Sequence, residues 1–410
     1  MSTKRYFWII GGGLLQVPLI KEARDLGLSI IVSDSSNICV CKTLCDIFIL
    51  ADIFDITSHI KEADILLKRG LNVVGVLAAG IDAPETMAVL AQKLGLPSVE
   101  PEIAYLVHNK HLFRKKLEAL GYPGPRYKAV DNTNFAQLQE IINEIGFPLI
   151  VKNTDSSGSR GTKIFYEQNL NEIQNMVLEA ISVSKSAVAL IEECWEGPEQ
   201  TVETIFDIEG DFHPCFITDR LFDRSKGYAI ELGLRNPTNL PIDIQNEMFL
   251  IAENISKDLG IAKGAAKFDM ILTKNGPRVI EMTVRLSGGF DCQYLVPATS
   301  GKNIMRAAIL TALGEKFPPN LLNNIKNRIG FSESIWPEPG LISKIEGVEE
   351  ALKVPGVEQI FFRYKEGDII QPYTDCTKRV CFIIVSGKDE IAARKSMEEA
   401  KKIIKIITNK

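Results

Sequence analysis

Residues 268–289 read FDMILTKNGPRVIEMTVRLSGG, with two apolar segments on either side of a short polar loop. The pattern predicts antiparallel strands over 268–273 and 278–282, joined by the loop 274–277 with Asn-Gly at its centre. A second hairpin is predicted where the segments 201–208 and 212–218 flank another polar turn. Neighbouring hairpins of this kind indicate α+β structure in the middle of the chain.

Two acidic residues are predicted to face each other across the first hairpin. A five-residue loop would place Asp269 opposite Glu281, and a four-residue loop would shift the pairing by one position. Like charges placed in this way repel, and Mg²⁺ would remove the conflict by binding both carboxylates. Glu281, Thr283 and Arg285 alternate along one strand and therefore share a face. The alternative is a solvent-exposed face with a chance acidic pair.

A polar loop follows the apolar strand that is predicted over 147–152. The loop 156–161 reads SSGSRG, and its glycines allow backbone amides to approach a phosphate group closely. It lacks the G-x-x-x-x-G-K-[ST] pattern and is therefore not a P-loop. Lys152 ends the strand and could contact a phosphate as a point charge. Taken alone, the segment is better explained as a flexible polar loop.

Residues 1–108 alternate between apolar strands and amphipathic helices, which predicts a small doubly wound α/β domain. The glycines at 11–13 follow the first strand. A dinucleotide-binding fingerprint would need glycine at position 16, where the chain has Gln16, although Asp34 does end the second strand. The glycine turn could instead present its amides to another ligand, such as a carboxylate.

Composition limits the classes of function. The 410 residues suit two or three domains, and the net charge of −5 argues against nucleic-acid or anionic-membrane partners. Eight cysteines are too few for a disulfide scaffold. The cluster Cys39, Cys41 and Cys45 has no obvious fourth metal ligand, so we interpret it as thiols in a loop. The apolar stretch 6–15 has no cleavage signal and is too short to span a membrane, so a cytoplasmic protein is expected.

Five segments stand in the order and with the spacing found in the ATP-grasp superfamily, which the chain resembles over most of its length. They are Asn109-Lys110, the strand 147–152, the loop 156–161, the pair 191–193 and 197–199, and 279–289. In this superfamily ATP lies between two α+β subdomains. The resemblance implies an α/β plus α+β fold. It places a pre-ATP-grasp domain at 1–108, an ATP-grasp domain at 109–325 with a lid at about 123–195, and a C-terminal α+β region at 326–410.

The resemblance also implies ATP-binding roles for particular residues. Lys110 and Lys152 would contact the phosphates, and Glu199 would accept hydrogen bonds from the ribose. The glycine-rich loop would close over the triphosphate, through Ser156, Ser157, Gly158, Ser159, Arg160 and Gly161, with Ser157 and Arg160 counted among the catalytic residues. The segment facing the adenine edge would consist of Glu192, Glu193, Cys194 and Trp195.

The remaining implied roles concern the metal and the reacting groups. Asp269 and Glu281 would hold Mg²⁺ or Mn²⁺, and Thr283 stands where many members carry asparagine, a better ligand. Arg285 would stabilise charge on the transferred phosphoryl group. Lys267 occupies a position where histidine is common, and it is included among the catalytic residues with its contact left open.

The segment 281–289 is most similar to carboxylate–amine ligases of the amino-acid and dipeptide type. This implies a small-molecule carboxylate and an amine as substrates, an acyl-phosphate intermediate and release of ADP and phosphate. A homodimer is a further expectation, because homo-oligomers are common for this fold. Two alternatives stay open: a bicarbonate-activating, carboxylase-like enzyme and a catalytically silent ATP-binding module. The substrate pocket is expected along 287–295 and 221–235, with Arg379 as a weaker candidate.

Overall fold

The computed structural model describes residues 4–132, 134–156 and 158–409, so the predicted catalytic residue Ser157 lies outside the described residues. The N-terminal part is a four-stranded parallel sheet in the order β3-β2-β1-β4. Its strands are β1 Arg5–Ile10, β2 Ser29–Asp34, β3 Ile47–Leu50 and β4 Asn72–Ala78. The helices of this part are α1 Val17–Asp25, α2 Ile56–Lys68, α3 Pro84–Leu94 and α4 Pro101–His108.

The glycine turn after β1 is filled by the protein's own side chains. Gly12 N donates to Asp34 Oδ2 at 2.7 Å, and Gly13 N donates to Gln16 Oε1 at 2.9 Å. The Sγ of Cys41 donates to the carbonyl oxygen of Gly13 at 3.2 Å, so this thiol packs beneath the turn. Two of the amides that a bound carboxylate or phosphate would need are therefore already engaged, and the turn serves the fold.

The lid is a separate antiparallel sheet in the order β5-β8-β6-β7, and it follows helix α5 Lys110–Ala119. Its elements are β5 Tyr127–Val130, α6 Leu138–Ile145, β6 Leu149–Asn153, β7 Lys163–Phe165, α7 Leu170–Val183 and β8 Ala189–Glu193. Helix α6 buries Ile141, Ile142 and Ile145 against the sheet, which forms a hydrophobic core of its own. An independent core allows the lid to be one packed unit.

Most strands of the remaining chain form one eight-stranded sheet in the order β13-β12-β9-β10-β11-β14-β18-β16. Residues 199–312 supply β9 Glu199–Phe206, β10 Phe212–Asp223, β11 Ile230–Asn236, α8 Ile242–Asp258, β12 Gly264–Thr273, β13 Gly276–Thr283, α9 Val296–Thr299 and α10 Ile304–Ala312. Both predicted hairpins are present, as β9–β10 and β12–β13.

The C-terminal region extends the same sheet instead of standing apart. Its elements are β14 Ile329–Glu333, β15 Gly340–Glu346, α11 Val348–Ala351, β16 Val357–Phe362, β17 Ile369–Ile370, β18 Cys381–Gly387, α12 Glu390–Ile403 and β19 Lys405–Asn409. Strand β14 pairs with β11, with Gly233 opposite Glu333, so backbone hydrogen bonds cross the boundary predicted at 325. Strands β17, β15 and β19 form a small second sheet. Among the described helices, none combines the length and apolar character needed to cross a bilayer.

Candidate active site between the lid and the large sheet

The hairpin β12–β13 places Asp269 opposite Glu281, as the sequence predicted to within one residue. The route differs from the predicted one. Thr273 pairs with Gly276, so the turn contains two residues instead of four, and an unbroken ladder would put position 280 opposite Asp269. A bulge at Ile280 adds the missing residue. Its carbonyl oxygen accepts a hydrogen bond from Arg114 Nη2 at 2.5 Å, so α5 holds the bulge in place.

Asp269 is buried and surrounded by cationic groups. Its Oδ1 lies 2.5 Å from Lys267 Nζ and accepts a hydrogen bond from Thr201 Oγ1 at 3.2 Å. Its Oδ2 lies 3.0 Å from Arg220 Nη1. Lys267, whose contact the sequence left open, therefore contacts Asp269, the first predicted metal ligand.

Glu281 lies 3.5 Å from Lys110 Nζ through its Oε2. Burial alone would raise the pKa of Glu281, but the ammonium groups of Lys110 and Lys267, with Arg220, hold this pKa well below its usual range. Glu281 is therefore ionised at neutral pH and available to a cation.

The donor set fits Mg²⁺ bound together with phosphate. Asp269, Glu281 and Thr283 offer only oxygen donors, as Mg²⁺ prefers, and one or two carboxylates with phosphate oxygens are its common protein environment. Within the described ranges there is no group of three or more His, Cys, Asp or Glu able to hold a metal on their own. Phosphate oxygens and water would therefore have to complete the coordination.

Most of the predicted ATP and metal residues line one cavity between the lid and the large sheet. They are Lys110, Lys152, Ser156, Gly158, Ser159, Glu199, Lys267, Asp269, Glu281 and Arg285. Thr283 lies in a smaller adjoining recess, which Glu281 and Arg285 also line, although β13 ends at Thr283 and Arg285 lies beyond the predicted strand. Arg285 Nη2 lies 3.5 Å from Asp82 Oδ1, and its buried Nε has no hydrogen-bond partner among the described residues.

The glycine-rich loop is held in a left-handed conformation that suits close backbone contact with a ligand. Gly158, Ser159 and Gly161 have φ values of 73°, 60° and 57°. Lys110 Nζ donates to the carbonyl oxygen of Ser156 at 2.8 Å. Because Lys110 also lies beside Glu281, it connects the loop to the predicted metal site. Gly161 and Arg160 lie outside the cavity wall, and Arg160 Nη2 is 3.3 Å from Asp82 Oδ2.

The predicted adenine-edge segment is placed differently from the phosphate residues. Glu192 turns its side chain into a buried ion-pair cluster, where Oε1 accepts from Arg114 Nε at 2.9 Å and Oε2 pairs with Lys152 Nζ. Burial opposes ionisation of Glu192, but Arg114 and Lys152 lower its pKa. Glu193 pairs with Arg126 at 3.1 Å on an exposed edge. Glu193, Cys194 and Trp195 do not line the cavity.

Four charged residues that were not assigned ATP or metal roles also line the cavity, namely Arg220, Glu231, Asp291 and Arg379. Arg220 lies within 3.0 Å of Asp269, 3.3 Å of Glu231 and 3.6 Å of Glu199. Two features could have identified Arg220 as a cavity residue. It directly precedes the expected substrate segment 221–235, and it pairs across β10 and β9 with Glu199, a predicted ATP-binding residue.

Asp291 comes from the other expected substrate segment, and the backbone around it is unusual. Phe290 has a φ of 65°, and a π-helical turn over Asp291–Leu295 follows it. Non-glycine residues in this conformation and π-turns both concentrate at functional sites. Thr218 Oγ1 donates to Asp291 Oδ1 at 3.0 Å, whereas the buried Oδ2 has no partner among the described residues. Burial raises the pKa of Asp291.

Comparisons with known proteins agree with this geometry. Residues 107–289 match the family model of the ATP-grasp domain, and residues 334–409 match that of the L-amino acid ligase C-terminal domain 2. The chain is 25% identical over 346 residues to an uncharacterised protein of Sinorhizobium fredii, covering 82% of this chain and 68% of that protein. It is 25% identical over 337 residues to carnosine synthase 1 of Homo sapiens, covering 77% of this chain but only 40% of that protein.

Solved structures match the whole chain. An L-amino acid ligase from Bacillus licheniformis superposes with a TM-score of 0.85 at 21% identity, covering 100% of both chains. A phosphoribosylglycinamide synthetase from Anaerococcus prevotii gives a TM-score of 0.75 at 22% identity, also over 100% of both chains. At these identities the likeness shows the fold. The two family models show in addition that the chain contains an ATP-grasp domain and an L-amino acid ligase C-terminal domain.

Proposed function

We propose that the protein is an ATP-dependent carboxylate–amine ligase. In the first step an oxygen of a substrate carboxylate attacks the γ-phosphorus of ATP, which forms an acyl phosphate and releases ADP. In the second step the nitrogen of an amine attacks the acyl carbon, the C–O bond to phosphate breaks, and an amide, inorganic phosphate and a proton are released. Phosphoryl transfer of this kind depends on positioning and charge neutralisation more than on covalent catalysis.

The observation that carries the proposal is the opposition of Asp269 and Glu281 in a cavity that Lys110, Lys267 and Arg285 also line. Two acids and three cations on one wall suit a polyanion bound with a divalent cation. Mg²⁺ held by Asp269 and Glu281 would neutralise phosphate charge. The names of the two ligases that the chain resembles, an L-amino acid ligase and a carnosine synthase, support the same class of reaction.

The chain's own residues would bind and orient the two reacting ends. Lys110 and Lys152, with the loop 156–161, would contact the triphosphate, and closure of the lid would exclude water from the acyl phosphate. Glu199, which lines the cavity, would accept hydrogen bonds from the ribose. Arg285, whose Nε is unpartnered among the described residues, would donate to the transferred phosphoryl group or to the acyl phosphate.

The test is ADP release by the purified protein with Mg·ATP in the presence of pooled amino acids, bicarbonate or no addition. We expect stimulation by the amino acids and its loss in Glu281→Gln. Stimulation by bicarbonate alone would replace the ligase by a carboxylase-like enzyme. If Mg·ATP binds but no carboxylate stimulates turnover, the ligase proposal is wrong and an ATP-binding module takes its place.

A further inference from the structure

A second recess on the large sheet lies apart from the cavity that contains the predicted ATP residues. It has a volume of about 250 Å³ and is lined by the segments 214–217, 236–237 and 324–328, with side chains of α8 and α9. Strands β10 and β11 contribute to both sites, but they line the ATP cavity through other residues, such as Arg220 and Leu234. No described residue lines both sites, so a ligand in the recess would leave the ATP cavity free.

Three cationic side chains line this recess, which we call the basic recess: Lys302, Lys326 and Arg328. No Asp or Glu occurs among the described residues of its wall, although the whole chain has a net charge of −5. The amide side chains of Asn324 and Asn327 also line it and can donate hydrogen bonds. A concave site with several cations and no acid favours an anionic ligand.

Backbone hydrogen bonds around the end of α9 bring the three cationic residues together. Lys326 N donates to the carbonyl oxygen of Ser300 at 2.9 Å, and Arg328 N donates to that of Thr299 at 3.1 Å. Lys302 N donates to Ser300 Oγ at 3.2 Å. The three side chains therefore start from fixed positions, which lowers the entropy that a ligand must overcome when it binds.

The two lysines have carbonyl oxygens as partners instead of carboxylates. Lys302 Nζ donates to the carbonyl oxygen of Cys215, and Lys326 Nζ donates to that of Pro297 at 3.0 Å. Neither lysine forms an ion pair with an acid in the described part of the chain. Burial lowers the pKa of Lys302, because its ammonium group has lost water without gaining an acidic partner. An anion in the recess would supply the missing counter-charge.

Arg328 is also incompletely paired. Its Nη2 donates to the carbonyl oxygen of Ser386 at 2.9 Å and lies 3.6 Å from Glu358 Oε1. Both members of this ion pair are more than one-third exposed, so water screens it. The buried Nε has no hydrogen-bond partner among the described residues. The guanidinium group therefore keeps hydrogen-bonding capacity for a ligand.

We infer that the basic recess binds a phosphate group. Phosphate carries up to two charges near neutral pH and has several acceptor oxygens, so it suits three cations better than a single carboxylate does. Phe216 and Phe249 add apolar surface, against which the organic part of a phosphate monoester could pack. The source of the group is therefore either free phosphate or a small monoester. The inference goes beyond the proposed ligase function and does not depend on it.

The experiment measures phosphate binding while the ATP cavity is filled. The purified protein is saturated with Mg²⁺ and the non-hydrolysable analogue AMP-PNP, and radiolabelled inorganic phosphate is added in equilibrium dialysis at low ionic strength. The variants are Lys326→Gln and Lys302→Gln, whose new amide keeps a donor for the carbonyl oxygen of Cys215. Lys353→Gln is the control, since Lys353 is an exposed lysine after α11 that does not line the basic recess. Unlabelled phenyl phosphate and acetate are then tested as competitors.

We expect one phosphate to bind per chain beside the analogue. Lys326→Gln and Lys302→Gln should each raise the Kd for phosphate about 10-fold, the size of effect for a lost charged hydrogen bond. Lys353→Gln should match the wild type, and AMP-PNP should bind all variants within about twofold, which shows that they are folded. Tighter binding of phenyl phosphate than of phosphate would identify a monoester as the source, and weaker binding would identify free phosphate. Either result supports the site.

Three results would overturn the inference. Absence of phosphate binding in the wild type would remove the site, and displacement of phosphate by AMP-PNP would assign the binding to the ATP cavity. Equal Kd values in the wild type and both recess variants would place the phosphate elsewhere on the surface. If acetate displaced the label as well as unlabelled phosphate does, the recess would be a site for anions in general and the assignment to phosphate would be wrong.

Discussion

Two buried clusters of opposite charges lie on either side of the bulge at Ile280, and they differ in access. In the closed cluster, Arg114, Glu192 and Lys152 have side chains that are 2%, 2% and 7% exposed, and each charge is paired within the protein. In the open cluster both Asp269 and Glu281 line the cavity; the Glu281 side chain is 33% exposed and that of Asp269 is 2% exposed.

The same types of charged residue serve the fold in the closed cluster and are available to a ligand in the open cluster. The closed cluster links α5, the lid strands β6 and β8 and the carbonyl oxygen of Ile280, so it joins the lid to the large sheet, and its member Lys152 also lines the cavity. The open cluster leaves room for further ions beside its carboxylates. Buried pairs of the first kind are costly to break, whereas groups of the second kind act on charge that arrives with a ligand. Substitutions in the two clusters should therefore affect different quantities.

The largest effect is expected in the open cluster. Glu281→Gln keeps the shape of the side chain and removes the charge that the proposed Mg·ATP complex needs, so we expect ADP-forming activity to fall by about 10³-fold, roughly 4 kcal/mol of transition-state stabilisation. The thermal unfolding midpoint should fall less than in Glu192→Gln, because the Glu281 side chain is 33% exposed and its distance to Lys110 Nζ is 3.5 Å. ADP release and thermal unfolding of the same preparation measure both. A large fall in the unfolding midpoint would place Glu281 with the structural cluster instead.

The next effect is expected in the closed cluster, where adjacent residues of β8 provide a matched pair. Glu192→Gln leaves Arg114 and Lys152 buried without a counter-charge, so we expect a loss of about 3 kcal/mol in the free energy of unfolding. Glu193→Gln breaks only the exposed pair with Arg126, and its effect should stay below about 0.5 kcal/mol. Urea unfolding followed by circular dichroism measures both variants. Equal midpoints for the two variants would contradict the structural role of the closed cluster.

The sequence was informative about the open cluster because its pattern is local. Asp269 and Glu281 are joined by one short hairpin, so their opposition followed from alternation and loop length to within one residue. The bulge at Ile280 was not predictable from the local pattern, and the residue that donates to its carbonyl oxygen, Arg114 of α5, is distant in sequence. Glu192 shows the same limit, since its partners Arg114 and Lys152 are distant in sequence.

The two glycine-rich segments were also beyond prediction from composition. Both the turn at 11–13 and the loop at 156–161 have glycines after an apolar strand. Only the surrounding side chains show that Asp34 and Gln16 occupy amides of the first, while Gly158 and Ser159 of the second line the cavity. The joining of the C-terminal region to the large sheet through β14 depends on a pairing between distant strands, which periodicity within a segment does not reveal.

Glu203 is a third buried carboxylate, and it belongs to neither cluster. Glu203 is fully buried, and both its oxygens accept from Ser287 N, at 3.2 and 3.1 Å. No salt bridge to Glu203 occurs among the described residues, and burial raises its pKa from 4.5 to about 7. The acids that have cations beside them, Glu192 and Glu281, have lowered pKa values instead. Burial and nearby cations therefore act against each other on these carboxylates, and at Glu199, which pairs with Arg220 and Arg224, burial prevails and raises the pKa.

The smallest expected effect follows from the raised pKa of Glu203. Below pH 4.5 the carboxyl is protonated in both the folded and the unfolded chain, so its contribution to stability is complete. As the pH rises from 4.5 towards 7, the unfolded chain releases this proton while the folded chain retains it, and stability falls by about 1.4 kcal/mol per pH unit before levelling off above 7. We expect the free energy of unfolding of the wild type to fall by about 2 kcal/mol more than that of Glu203→Gln between pH 5 and pH 7.5. Parallel urea titrations of both proteins measure this difference, since other titrating groups are common to both. Parallel profiles would mean that Glu203 ionises in the folded chain as readily as an exposed acid, and a cation near it would then have to be sought.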